Sequence, residues 1–191
     1  VSKSRVWSEY LNHTLALNPN SKYIYIIRDL RDIICSFESL LNKYPNITIG
    51  DEEHHLQHEP FEKRMELYCT DGMANLGRPL NILPHVMEVA QKHPDNFYIL
   101  RHEDFNENPR GTFQSLYQFL GEEYFEHDFD NIPPSDYYEH DTVYRSMVTH
   151  KTGTKLHKLE PRWPKMMTPE QSQLVIQNNI QYYKTFYPEF V

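Results

Sequence analysis

The sequence predicts an α/β fold with a parallel sheet, and two short apolar runs together with the residues behind them carry that prediction. Tyr23-Ile24-Tyr25-Ile26-Ile27 and Phe97-Tyr98-Ile99-Leu100 are unbroken β-branched and aromatic stretches, of the kind that form strands covered on both faces. Each is followed, after a short turn, by residues at helical spacing. Strands that alternate with helices belong to a parallel sheet. At 191 residues the chain is long enough to give one such domain a core, and the expected organisation is a single domain over residues 1–191.

The elements follow in order. Residues 7–17 read as a short helix with Trp7, Tyr10, Leu11 and Leu15 on one side, stopped by Asn18-Pro19-Asn20. After the first strand, residues 30–41 show helical spacing through Ile33, Ile34, Phe37, Leu40 and Leu41. Residues 46–60 are polar, acidic and histidine-rich and read as a loop. Residues 61–69 and 80–93 read as helices, with Pro84 marking a kink or a late start in the second. Beyond the second strand, residues 109–120 form a helix with Pro109 in its first turn and Gly121 at its end. Residues 122–162 have little periodicity, and a loop of that length is functional or disordered. Residues 168–186 form a final helix, with Thr168 as N-cap and Pro169 in the first turn.

Composition limits the function. Nineteen Lys and Arg against 27 Asp and Glu leave a formal net charge of −8. That is the wrong sign for a general nucleic-acid binder. An anion site in such a chain has to be local, made of a few placed cations and backbone N–H groups. The 14 Tyr and 10 Phe argue against a disordered chain. Cys35 and Cys69 are expected as buried thiols rather than a disulfide. Asn12-His13-Thr14 and Asn46-Ile47-Thr48 are glycosylation sequons, of a kind that arises often by chance. No run approaches membrane-spanning length and no signal peptide is visible, so a cytoplasmic protein without membrane association is expected. The chain begins with Val1 rather than Met, as a fragment, a processed product or a trimmed chain would.

Two constellations compete for chemistry. His54 and His58, with His55 between them, have a spacing that suits metal ligation on a helix. Pro60 and the surrounding polarity favour a loop there, and no metal site is expected. The stronger segment is Arg28-Asp29-Leu30-Arg31-Asp32, at the end of the first strand, with Ser36 two turns into the following helix. Ligands of open α/β sheets bind beyond the carboxyl ends of strands, and a guanidinium there can grip a phosphate with two parallel hydrogen bonds. The other reading is that Arg28 and Arg31 pair with Asp29 and Asp32 on the surface.

That segment resembles a known family. A strand, then Arg28, Asp29, two residues, Asp32, and Ser36 eight positions after the arginine is similar to the 3′-phosphate-binding signature of sulfotransferases that use 3′-phosphoadenosine 5′-phosphosulfate (PAPS). The resemblance implies that Arg28 and Ser36 bind the nucleotide's 3′-phosphate. Phe97-Tyr98-Ile99-Leu100-Arg101-His102-Glu103-Asp104-Phe105, then Asn108-Pro109 and a helix ending Phe119-Leu120-Gly121, resembles the family's second strand, its "YED" turn and the next helix. The family's tyrosine near the adenine is His102 here. Read alone, Glu103 and Asp104 are helix-entry acids favoured by the dipole.

Lys3-Ser4-Arg5 lies about where the "KTH"-like element of cytosolic sulfotransferases lies, which implies that Lys3 supports the transferring sulfuryl group. Arg5 replaces the histidine base and cannot accept a proton at neutral pH. The same residues do not qualify as the family's glycine-containing 5′-phosphosulfate loop, because the glycine for close backbone approach is absent. Either a segment precedes this sequence or that loop is lost. Further on, His127-Asp128-Phe129-Asp130-Asn131, then Asp141-Thr142-Val143-Tyr144, His150-Lys151 and Trp163 resemble the lid of bacterial-type sulfotransferases. This implies His150 as base and Lys151 and Lys155 as phosphate contacts. The other reading of the two lysines is a solvated basic loop.

The resemblance therefore implies a P-loop-NTPase-like parallel sheet flanked by helices, with a long C-terminal lid loop and a final helix. It implies transfer of a sulfuryl group from PAPS to a hydroxyl, or less often an amine, of a small-molecule or carbohydrate acceptor. The product is 3′-phosphoadenosine 5′-phosphate (PAP), and no metal, nucleic acid or membrane takes part. The alternative is a non-catalytic nucleotide- or partner-binding module on a decayed scaffold of this kind. A kinase-like reading lacks its Walker loop.

Overall fold

The structure is a computed structural model that describes residues 2, 5–43, 58–70, 76–133 and 153–191. The chain divides into two compact units, Val1–Ile27 with Cys69–Phe125, and Arg28–Tyr68 with Glu126–Val191. The first contains the sheet. Among the described residues no helix is long and apolar enough to cross a membrane.

In the first unit a 3₁₀ turn, Arg5–Glu9, precedes helix α1, Leu11–Leu17. The helix expected over 7–17 is thus two pieces with a bend at Tyr10. Leu11 and Leu15, one turn apart, are buried, while Trp7 and Tyr10 are exposed. Asn18 ends α1 as expected, in extended conformation. Strand β1, Tyr23–Ile27, pairs in parallel with β2, Phe97–Arg101, with Tyr23 opposite Phe97 and Ile27 opposite Arg101. The two leading rings stack at 4.9 Å. The Asn96 side-chain amide donates to the carbonyls of Pro19 and Ser21, 2.7 Å each, and pins the entries of both strands together.

The expectation of strands covered on both faces is not met. Ile24 and Ile26 are 43% and 64% exposed, while Ile27 is buried. Residues of alternate parity point to opposite faces, so one face of β1 is open. β-Branched and aromatic residues suit a pleated, half-buried surface as well as a fully covered one, and an unbroken apolar run does not separate the two.

Helix α4, Gly77–Lys92, starts earlier than expected and holds Pro84 in its interior. After β2 comes α5, His102–Glu107, where only a turn was expected. Helix α6, Pro109–Leu120, matches its expected bounds. Asn108 Oδ1 accepts from the N–H of Gly111, and Gly121 closes the helix at φ 76°, the left-handed conformation that glycine adopts without strain.

The second unit is helical. Helix α2, Leu30–Lys43, buries Leu30, Ile34, Cys35 and Glu38. Helix α3, Phe61–Thr70, belongs to this unit up to Tyr68. It is tied to α2 by the ion pair of Arg64 with Glu38 and by the Tyr68 hydroxyl, which donates to Glu38 at 3.1 Å. Helix α7, Trp163–Met166, was not expected. The single final helix expected over 168–186 is two, α8, Pro169–Asn178, and α9, Ile180–Phe186. The break is Asn179, at φ −123° and ψ 36°, whose side chain donates to the Val175 carbonyl at 2.9 Å. Asparagine competes in this way with the helical ladder. Thr168 caps α8 in a full capping box with Gln171.

Candidate phosphate-binding site

The site begins where β1 ends. Its last ladder pair is Ile27 with Arg101, and α2 begins at Leu30. Arg28 and Asp29 therefore form the whole turn, and Asp29 caps the helix: its carbonyl accepts from the N–H groups of Asp32 and Ile33, and its side chain from the N–H of Arg31 at 3.0 Å.

Both pairings weighed in the sequence are present, but they differ in kind. Arg31 is buried. Its Nε lies 3.0 and 3.1 Å from the two Asp29 carboxylate oxygens, Nη2 lies 2.5 Å from Oδ2, and Nη1 donates to Ser172 at 3.1 Å. The guanidinium is 3.9 Å from the centre of the Trp163 ring and 4.2 Å from that of Phe190. Burial disfavours its charge, but the hydrogen bonds and charge of Asp29 more than offset this and leave its pKa raised. The Tyr183 hydroxyl also donates to Asp29, at 2.8 Å. This pair is interior, where the sequence reading had a surface one.

Arg28 is held more loosely. Its Nη2 donates to Asp32 Oδ2 at 3.1 Å, and its side chain stays 23% exposed. Its Nε is shielded from solvent and has no hydrogen-bond partner among the described residues. Asp32 is buried and engaged on its other oxygen, which accepts from the N–H groups of Arg162 at 2.8 Å and Trp163 at 3.3 Å. Ser36 lies four residues after Asp32 on α2, on the same helical face one turn on, and is half-buried. Hence a guanidinium with a shielded vacant donor stands at the strand end, and a hydroxyl lies one turn past the carboxylate that steadies it. A shielded N–H without a partner is costly, and an anionic oxygen would satisfy it.

Two of the other expected residues, His102 and Lys155, are among those described. His102 opens α5 and is half-buried, with the Asn106 side-chain nitrogen 3.0 Å from Nδ1 and 2.8 Å from the His102 carbonyl. Lys155 is exposed and paired with Asp130 at 2.6 Å. Lys3, His150 and Lys151 lie outside the described residues, as do His54 and His55. Among the described residues no group of three or more His, Cys, Asp or Glu is placed to hold a metal ion. Sequence reasoning missed Tyr182 and Tyr183 of α9: the Tyr182 hydroxyl donates to the Arg28 carbonyl at 2.7 Å. Nothing in the local pattern of the final helix distinguishes these tyrosines from ordinary core residues.

The described residues form a helix-rich α/β protein with a small parallel sheet in its first unit and polar side chains gathered on the turn and first helix of its second. The chain belongs to the sulfotransferase domain family, whose model matches residues 7–175. It is similar to a flavonol 3-sulfotransferase of Flaveria bidentis, 23% identical over 160 residues, which cover 84% of this chain and 46% of that protein. The chain thus spans about half the length of the curated relative it matches.

Proposed function

We propose that this chain carries the 3′-phosphate-binding part of a PAPS-dependent sulfotransferase acting on a hydroxyl, or less often an amine, and releasing PAP. The observation that carries the reading is the Arg28 guanidinium, steadied by Asp32 at one nitrogen and left with a shielded Nε that has no partner among the described residues. Family membership supports the sulfuryl-transfer chemistry.

In this reading Arg28 and Ser36 hold the 3′-phosphate and His102 lies against the adenine. Lys151 and Lys155 are further phosphate contacts, and the exposed partner of Lys155, Asp130, is easily exchanged for a ligand. Lys3 stabilises charge on the group in transfer, and His150 takes the acceptor's proton. When bound, the donor nucleotide supplies the sulfuryl group. This chain's residues hold and orient it, and positioning is the larger part of such catalysis. Residues 122–162 serve as the lid of a P-loop-like fold. A small hydroxylated molecule is the acceptor class, in keeping with the flavonol named for the relative.

The test is calorimetric titration with PAP and with AMP, which lacks the 3′-phosphate. PAP should bind at least about tenfold more tightly, the worth of one charge-assisted hydrogen bond. Equal affinities for the two nucleotides would remove the main support for the assignment.

A further inference from the structure

We infer that Tyr182 is a positioning residue for Arg28: its hydroxyl bond to the Arg28 carbonyl fixes the turn from which the guanidinium is aimed at a terminal phosphate. The inference rests on the phosphate reading above and adds a residue from the C-terminal part of the chain to that site.

The Arg28 carbonyl stands at a gap in the backbone ladder. It comes one residue after the last β1 pair and one before Asp29, whose carbonyl accepts the first helical N–H groups. The partner it has is the Tyr182 hydroxyl, 154 residues away in sequence and 2.7 Å away in space. At the far end of the same residue, Nη2 is held by Asp32. Arg28 is therefore fixed at its backbone by α9 and at its tip by α2, with the vacant Nε between the two anchors. A long side chain that is held before binding loses less freedom when it grips a ligand.

Its neighbour does something different. Tyr183 donates to Asp29, and Asp29 is committed to Arg31 in the interior. Consecutive hydroxyls of α9 thus reach the two halves of the turn. Tyr182 serves the residue with a vacant donor and Tyr183 the residue that closes the buried pair. The Tyr182 ring packs 5.1 Å from Phe186 and 5.9 Å from Tyr187, so replacing it by phenylalanine deletes the hydroxyl and keeps the packing.

The experiment compares the full chain with Tyr182→Phe and Tyr183→Phe by titration with PAP and AMP and by thermal melting. Tyr182→Phe should weaken PAP about fivefold and leave AMP unchanged, so that the preference for PAP falls. Tyr183→Phe should lower the melting temperature and keep that preference. An unchanged preference in Tyr182→Phe, with or without a lower melting temperature, assigns the hydroxyl to stability alone and overturns the inference. If the parent chain shows no preference for PAP, the phosphate reading fails first and takes this inference with it. If Tyr182→Phe does not fold, amide exchange of the parent chain decides: PAP, but not AMP, should slow exchange at Ile180–Phe186 because coupling is reciprocal, and equal exchange with both nucleotides overturns the inference.

Discussion

Arg31 and Asp29 form a forked ion pair inside the protein, Nη2 to Oδ2 at 2.5 Å, with both side chains almost fully withdrawn from solvent. Trp163 and Phe190 lie within about 4 Å of the guanidinium, which Ser172 also binds. The first arginine–aspartate pair of the segment, Arg28 with Asp32, keeps part of the arginine exposed and one donor vacant. Two arginines three residues apart therefore have separate tasks, one holding the helices together and one available to a ligand.

Arg31→Lys should destabilise the fold severely. Lysine retains the charge but not the planar fork or the stacking surface, and the buried Asp29 carboxylate loses the two-pronged donor that faces it. Breaking such a pair costs about 3 kcal/mol or more. Urea denaturation should show a clearly lower midpoint. A change within about 0.5 kcal/mol would mean that the pair is solvated and contributes little.

Arg28→Lys should act on binding instead. The side chain is partly exposed and its contact with Asp32 is a single one, so loss of the fork should move the melting temperature little. PAP binding should weaken about tenfold, with AMP unaffected. If Arg28→Lys unfolds the protein while Arg31→Lys leaves it intact, the two roles are reversed.

What was legible in the sequence is what neighbours in the chain decide. The strand runs, Pro109, Gly121 and Thr168 act through residues within a turn of themselves, and the structure has each element where those signals put it. The break at Asn179 is also local, but one asparagine in an apolar helical pattern is a weak signal. The depth of Arg31 was not legible, because Ser172, Trp163 and Phe190 stand more than 130 residues further along the chain. A charged residue three after Arg28 reads as surface until those partners are known. The same holds for the Arg28 carbonyl, whose partner comes from α9, and for the open face of β1, which depends on what packs there rather than on the strand itself. Of the site residues suggested by resemblance, Arg28 and Ser36 fall together on the turn and first helix of the second unit.

Thr168→Ala should cost about 1 kcal/mol by removing half of the capping box. Its hydroxyl accepts from the Gln171 N–H at 3.2 Å, and the Gln171 side chain accepts from the Thr168 N–H at 2.9 Å. The variant should melt a few degrees lower with its PAP affinity intact. A larger fall in PAP affinity than in stability would show that α8 reports directly to the site.

Cys35 should make the protein less stable in alkali. Burial, with Asp32 and Glu38 carboxylates nearby, pushes its thiol up to about 11. In the unfolded chain a cysteine loses its proton near pH 8.5. Below that pH both states hold the proton and the thiol contributes its full share of stability. As pH rises past about 9 the unfolded state loses the proton first, and stability is drawn down until the folded thiol ionises near 11. The loss is on the order of 3 kcal/mol. The Tyr183 phenol, raised by burial and then by the Asp29 charge, adds a loss of the same sign above about pH 10, where an unfolded tyrosine ionises. Cys35→Ala should be less stable at pH 7, because it leaves a small cavity in the core, yet it should lose less between pH 7 and 10 than the parent chain does. Urea midpoints at pH 7, 9 and 10 test this. Parallel curves for parent and variant over that range would show that the thiol is not the group responsible.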